Sequence, residues 1–491
     1  MIGRAPAAAL FCALSVACVA QGDAPAARRD ERSAQRVAEP RGLRPGGDAT
    51  VALGPSPSFV LPAPNLDEAG RAIFHTGKAL ATQPWVKAPT TTDARDGLGP
   101  LYHARACLSC HVEGGRGQAA DAKDGVLATL VRLSRPGAGA HGEPVPDPVY
   151  GDQLQPQSIS LAHQLRGARG ADALGGAPAE ADVRIRWRTE TFVYPDGVTL
   201  ELRSPQVVLE RFGYGPLHPD TRATLRHTPS LTGMGLLALV EQSDVDALAD
   251  PDDRDGDGIS GRVNWVWDPE AQRTRPGRFG LKANQPSVRV QVAAALSADM
   301  GLSSPVFPGQ PCTPRQPACL AAGNGNDGDG FEVPEHLLSA MTFFTMSLGV
   351  PQRRKPDDPL VLRGQALFDE AGCGECHAPH FVTDVDAAHP HLSGQDIWPY
   401  TDLLLHDMGP ALDDGRQDFE ASGREWRTAP LWGAGLARAT HARVGFLHDG
   451  RAATIAEAIV WHDGEARASR DRFTSLAAED RRALVSFVRS L

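Results

Sequence analysis

Hydrophobic and polar positions fall into a few clear patterns along the chain. The first is MIGRAPAAALFCALSVACVA, where one positive charge at Arg4 precedes a run of small apolar residues. The run is too short to span a membrane as a helix, and it reads as an export signal over residues 1–20. It ends either after Ala20 or just before Cys18, where LSVAC resembles a degenerate lipoprotein signal with Ser15 in a place that more often holds Leu. From 21 to about 56 the apolar period is lost among Ala, Arg, Pro, Asp and Gly, the composition of a disordered, solvated tether. Helical periodicity then returns in short pieces. RGQALFDEAG places Leu367 and Phe368 on one face, and AAEDRRALVSFVRSL puts Leu484, Phe487, Val488 and Leu491 at i, i+3, i+4 and i+7, which predicts an amphipathic terminal helix. In TIAEAIVWH, Thr454 is a candidate N-cap with Glu457 three residues on, and Ile455, Ala458 and Ile459 form an apolar face leading to His462. No later run of about 18 apolar residues occurs, so nothing after the signal predicts a membrane span.

A pattern also repeats. LTGMGL at 231–236 and LWGAGL at 431–436 share Leu, Gly, Gly and Leu at the same offsets, with Pro229 and Pro430 shortly upstream. A chain of 491 residues is long for one core, and the echo divides it into two related units: 57–350, with an insertion at about 114–225, and 351–491. The expected fold class is mainly α, in two related domains, the first carrying a large loop-rich insertion.

A second repeat carries chemistry. ACLSCH at 106–111 and GCGECH at 372–377 share the frame Cys-x-x-Cys-His. A zinc site needs two such knuckles folded together, a thioredoxin-type pair needs a strand before it and a helix after it, and a plain disulfide needs no His. Covalent c-type haem needs this spacing: two thiols a turn apart add to the two vinyl groups, and the adjacent imidazole reaches the iron. Cys107, Cys110, Cys373 and Cys376 are therefore expected thioether anchors, and His111 and His377 expected proximal iron ligands of two haems, one in each of two cytochrome c-like haem domains.

With these motifs stand GLGPLYHARACLSCH, HTPSLTGMGLLALV, ADPDDRDGDGISGRVN, GRFGLKANQPSVRVQVAAALSADMGLSSPVFP, YTDLLLHDMGPALDDG, EWRTAPLWGAGL and FLHDGRAATIAEAIVWHDGEA. In these strings, which cover most of 60–491, the chain resembles the bacterial di-haem oxidoreductases of the cytochrome c peroxidase and methylamine dehydrogenase maturation type. It is most similar to the branch labelled thiol oxidoreductases, a label these residues do not themselves explain. The resemblance implies one open, peroxide-activating haem and one that passes electrons. It also implies that the distal ligand of the second haem follows the HDG element by a fixed interval, which falls on His462. Some members hold Met or Tyr there; His implies a bis-imidazole iron of lower potential. Met408 in LLLHDMGPAL is the alternative ligand, while His406 and His448 read as structural or propionate-side residues, and the sixth ligand of the first haem stays open.

Two features lie outside the haem motifs. DPDDRDGDGISGRVN sets Asp253, Asp255 and Asp257 at alternate positions, where carboxylates can converge on calcium; the other reading is a solvated acidic turn, and Asn264 stands where an EF-hand has its bidentate Glu. Cys312 and Cys319, in PCTPRQPACL of an exported chain, are expected to form a local disulfide.

The formal net charge of −11 argues against nucleic acid as a partner. An electron donor such as a small cytochrome or cupredoxin, and peroxide or another small oxidant, suit the haem reading. The expected location is periplasmic or exported, either free or as a lipoprotein anchored at Cys18. Three functions compete: a peroxidase-like enzyme with one electron-transfer haem and one open catalytic haem, a non-catalytic electron-transfer cytochrome, and a maturation factor oxidising a partner protein.

Overall fold

A computed structural model of the chain describes Gly3 and residues 44–52, 54, 58–120, 127–165, 176–326 and 330–491. The expected export signal, the candidate lipid anchor Cys18 and most of the expected tether lie outside these residues. The tether over 21–56 is corrected at its end, because residues 44–51 are folded. Gly47–Ala49 form a 3-10 turn, Thr50–Val51 pair in parallel with Val350–Pro351, and Ala49 and Val51 are buried. A strand partner with two apolar contacts outweighs the polar composition around them.

Two helix pairs carry the cores. In the first, α1 (Glu68–Thr82) starts at Asp67, whose side chain accepts from Gly70 N–H, and crosses α3 (Glu335–Met346); α2 (Val288–Met300) packs beside α3. Phe74 and Phe344 meet with ring centroids 5.1 Å apart. In the second, α4 (Pro359–Glu370) crosses the terminal helix α6 (Ala478–Ser490), and α5 (Ile455–Val460) lies between the HDG loop and His462. Leu367, Phe368, Leu484, Phe487, Val488 and Leu491 are all buried in this second core, so the apolar stripe read from the sequence is the face that packs. Phe368 and Phe487 rings stand 5.1 Å apart.

The region from about 114 to 225, expected to be loop-rich, holds much of the strand content. Here β1 (Thr129–Ala138) pairs with β4 (Arg222–His227), Thr129 opposite His227, and β2 (Asp182–Val193) forms a twelve-residue hairpin with β3 (Thr199–Glu210). The alternation of Val183, Ile185 and Trp187, facing Val207 and Leu209, explains the strands: one face is apolar at period two. Among the described residues 30 % are helix and 20 % strand.

The hairpin tip reaches the second core. Tyr194 and Leu202 are buried among residues of α4, α5 and α6, the Arg481 guanidinium lies 4.0 Å over the Tyr194 ring, and Arg481 pairs with Asp196 at 2.6 Å. Arg203 Nε donates to Arg451 O at 2.9 Å, beside the HDG loop. Residues 41–491 thus form one compact unit, and no helix among the described residues is long and apolar enough to cross a membrane.

Both helix crossings depend on a glycine. A Cβ on Gly77 would stand 2.1 Å from Ala340 O, and one on Gly364 would stand 1.9 Å from Ala483 O. Gly364→Ala is therefore expected to destabilise the protein by about 3 kcal/mol through forced separation of α4 and α6, read as a lower unfolding midpoint in denaturant.

Candidate haem-binding site

Each Cys-x-x-Cys-His frame is a turn that aims its side chains inward. Cys107–Cys110 is one helical turn with His111 at its C-cap, and His111 N–H donates to Cys107 O at 3.0 Å. Cys373–Glu375 is a 3-10 turn entered through Gly372 at φ 77°, a left-handed conformation that favours glycine, and His377 N–H donates to Cys373 O at 3.0 Å. Both frames line the same cavity, of about 490 Å³. The structure therefore brings the two motifs, whose histidines are 266 positions apart in the sequence, onto one interior space.

All four cysteines are free thiols. Burial pushes Cys107 and Cys373 up to about 12 and raises Cys110 and Cys376 as well. A redox-active or metal-binding pair works through thiolate, and these sites disfavour it.

Six histidines line the cavity, and their ring bonds sort them. His111 Nδ1 donates to Pro229 O at 2.8 Å, His377 Nδ1 to Tyr400 O at 2.9 Å, and His462 Nδ1 to Ala458 O at 2.7 Å. A carbonyl can only accept, so each of these rings carries its proton on Nδ1 and presents the Nε2 lone pair, the form in which imidazole binds a metal. Burial lowers all three pKa values; for His377, with nearby His462 adding to the effect, the value falls to about 4. The other three are engaged differently. His227 has both nitrogens taken, by Thr129 Oγ1 and Gly117 O at 3.0 Å each. His448 lies flat on Trp426 with centroids 3.7 Å apart, and burial pushes it down to about 3.

His406 is held between carboxylates, Nε2 to Asp402 at 2.8 Å and Nδ1 to Glu465 at 2.6 Å. Burial opposes its charge, but Cys376 and Asp402 beside it outweigh burial and keep its pKa well above the ordinary value. The Cys376 sulfur lies 3.7 Å from Nδ1, and with both nitrogens engaged by carboxylates His406 has no lone pair to offer a metal. Met408 also lines the cavity.

The helix α5 delivers His462 as its sequence implies. Thr454 caps it, accepting from Glu457 N–H at 3.1 Å, and Glu457 answers by accepting from Ala453 N–H at 2.8 Å. Ile455, Ala458 and Ile459 line the cavity with His462.

The remaining candidate residues lie elsewhere. Asp253, Asp255 and Asp257 offer oxygens within 4.8 Å of one another at the surface. One oxygen of each already accepts a backbone N–H, from Gly258, Asp257 and Ile259 respectively. Asn264 is turned away and buried, donating to Lys282 O and Asp418 O. Cys312 and Cys319 form a disulfide with Cα atoms 5.8 Å apart.

A cationic wall of the cavity escaped the sequence reading. Arg226 pairs with Asp414 and Asp418, Arg416 with Asp418, and Lys282 with Asp414, while Lys282 and Arg226 both lie over the Trp426 ring. Arg116 and Arg427 stand on the same cavity. One signal was available: Arg226 and Arg427 each precede by three positions the proline of the internal echo.

Across residues 43–491 the chain matches the sequence model of the family described as "Di-haem oxidoreductase, putative peroxidase". The chain belongs to this family. No curated protein and no solved structure matches it. The di-haem oxidoreductase family implies haem cofactors, and the cavity's chemistry fits them: four unlinked thiols, three neutral imidazoles with a free lone pair, and cations available to carboxylates.

His406→Gln would leave Asp402 and Glu465 buried without their cation, and the expected cost is about 3–5 kcal/mol of stability, measured by chemical unfolding of the haem-loaded protein.

Proposed function

We propose that this di-haem oxidoreductase is an exported, peroxidase-like enzyme built on two cytochrome c-like domains, with one six-coordinate electron-transfer haem and one open catalytic haem. The observation that carries the reading is the histidine count. Two haems have four axial positions, and among the described cavity-lining histidines three, His111, His377 and His462, donate Nδ1–H to a backbone carbonyl and so keep Nε2 for iron, while His448 lies flat on Trp426 with its Nε2 3.6 Å from Asp449. Cys107, Cys110, Cys373 and Cys376 hold the two haems through thioethers. His377 and His462, the latter close enough to lower the pKa of the former, share the second iron, and His111 binds the first alone.

Bound haem supplies an iron that takes and gives single electrons and, where an axial position is open, binds peroxide. The reduction consumes two electrons and two protons per peroxide and releases two waters. The protein's part is to fix both imidazoles in one tautomer, to leave the other iron's far side without an imidazole, and to wall the cavity with charged groups. Electrons come from a small redox protein, and the net charge of −11 favours a basic one. A non-catalytic cytochrome, or a factor that oxidises a partner protein, is the alternative; the former would use Met408 or another methionine of the cavity to close the open position.

Element analysis and pyridine haemochrome of the mature protein should give two irons, both as covalent haem, and one calcium held by Asp253, Asp255 and Asp257. Cys107→Ala with Cys110→Ala should remove one haem, and a single haem in the wild type would refute the attachment reading.

The spin state of each iron separates enzyme from carrier. Reduced protein should bind carbon monoxide at one iron only, and His462→Gly should turn the other from low to high spin with haem content unchanged at two. Carbon monoxide bound at neither iron would favour the carrier, and an unchanged low-spin spectrum in His462→Gly would move the ligand to Met408.

A further inference from the structure

Seven cationic side chains line the cavity, and five of them have carboxylate partners. Arg132 pairs with Asp152, Arg226 with Asp414 and Asp418, Lys282 with Asp414, Arg416 with Asp152 and Asp418, and Arg470 with Asp463. The remaining two, Arg116 and Arg427, have no carboxylate within ion-pair distance among the described residues.

Their hydrogen bonds go only to backbone carbonyls. Arg116 Nε donates to Gly445 O at 3.0 Å and Nη2 to Leu447 O at 3.3 Å, with the guanidinium 5.4 Å over the Phe446 ring. Arg427 Nε donates to Gly280 O at 3.0 Å and Nη1 to Thr428 O at 3.3 Å. A guanidinium has five N–H donors, and among the described residues Arg116 Nη1 and Arg427 Nη2 have no acceptor. Burial is costly enough to push both arginines down to about 10.

A buried arginine can be satisfied without a carboxylate, as Arg278 shows. It lies outside the cavity, and both its terminal nitrogens are used: Nη1 donates to the carbonyls of Leu237, Ala238 and Val240, and Nη2 to Gln242. Arg116 and Arg427 differ on both counts. The internal echo makes the contrast sharper, because Arg226, three residues before Pro229, has its two aspartates while Arg427, three residues before Pro430, has none. A half-buried cation on a cavity wall without a counter-ion is kept when an anion arrives from elsewhere, and a fork of free N–H donors suits a carboxylate.

We propose that Arg116 and Arg427 bind the propionate carboxylates of the haems and so anchor the cofactors at the edge away from the cysteines and set their potentials. The inference rests on the family's haem content and not on the peroxidase reading. A guanidinium paired with a propionate favours the ferrous state; without it, an unpaired buried carboxylate favours the ferric state and titrates.

The test is a spectroelectrochemical titration of haem-loaded Arg116→Gln and Arg427→Gln at several pH values, with haem content determined on the same samples. Each variant should keep two haems, lower the midpoint potential of at least one, and make that potential depend on pH where the wild type does not. Unchanged potentials and pH dependence in both variants would overturn the proposal. The charge-conserving Arg116→Lys and Arg427→Lys supply a second readout should a glutamine variant not fold: the propionate bending band in their resonance Raman spectra should shift, and an unmoved band in both overturns it. The other source of the anion is free solute. A wild-type potential that shifts on adding sulfate, in a way the glutamine variants lose, would assign the arginines to a solution anion and overturn the haem assignment.

Discussion

The arrangement depends on one bond made three times, an imidazole Nδ1–H donated to a backbone carbonyl. Pro229, Tyr400 and Ala458 provide the carbonyls for His111, His377 and His462. Each bond fixes a tautomer, orients a ring and directs a lone pair into the cavity. Each also fixes a demand on the fold, because the carbonyl must be brought there. For His462 it comes from the preceding turn of α5. For His377 it comes from Tyr400, a residue at φ 55° with its ring buried against Phe368 and Phe487. For His111 it comes from a segment 118 positions away, which returns to the first motif after the whole strand-rich insertion.

That return makes the insertion part of the site. Strands β1 and β4 close the path from the first motif to Pro229, and the β2–β3 hairpin runs on to the second core, where Tyr194, Leu202 and Arg203 rest against α5 and the HDG loop. A six-residue helix such as α5 has little stability alone. Its position is set by the capping pair Thr454 and Glu457 at one end and by the packed hairpin on its flank. The first half of the chain therefore helps to hold His462 of the second.

The cavity walls carry an unusual load of buried charge. Arg226, Lys282 and Arg416 share the carboxylates of Asp414 and Asp418 beside Trp426, and His406 is a cation between Asp402 and Glu465. Such groups are costly to bury and stay stable only when each member keeps its partners. Their effect on a cofactor is a fixed electrostatic environment that does not reorganise as electrons arrive.

What the sequence determined was local and chemical. The spacing of Cys-x-x-Cys-His, the i, i+3, i+4, i+7 stripe from Leu484 to Leu491 and the cap at Thr454 each need only a few consecutive residues, so each was legible without a fold. The alternation of Val183, Ile185 and Trp187 was equally local, yet the Gly and Pro content around it pointed to loop. Residues 44–51 look like tether because their strand partner, Val350–Pro351, is about 300 positions away. Tertiary structure alone decided that both motifs share one cavity, that His227 and His406 have no free nitrogen while His462 does, and that Arg116 and Arg427 lack the partners Arg226 has. The reason is physical: a hydrogen bond or an ion pair depends on distances of a few ångströms, and for these residues the partner is set by where distant segments meet.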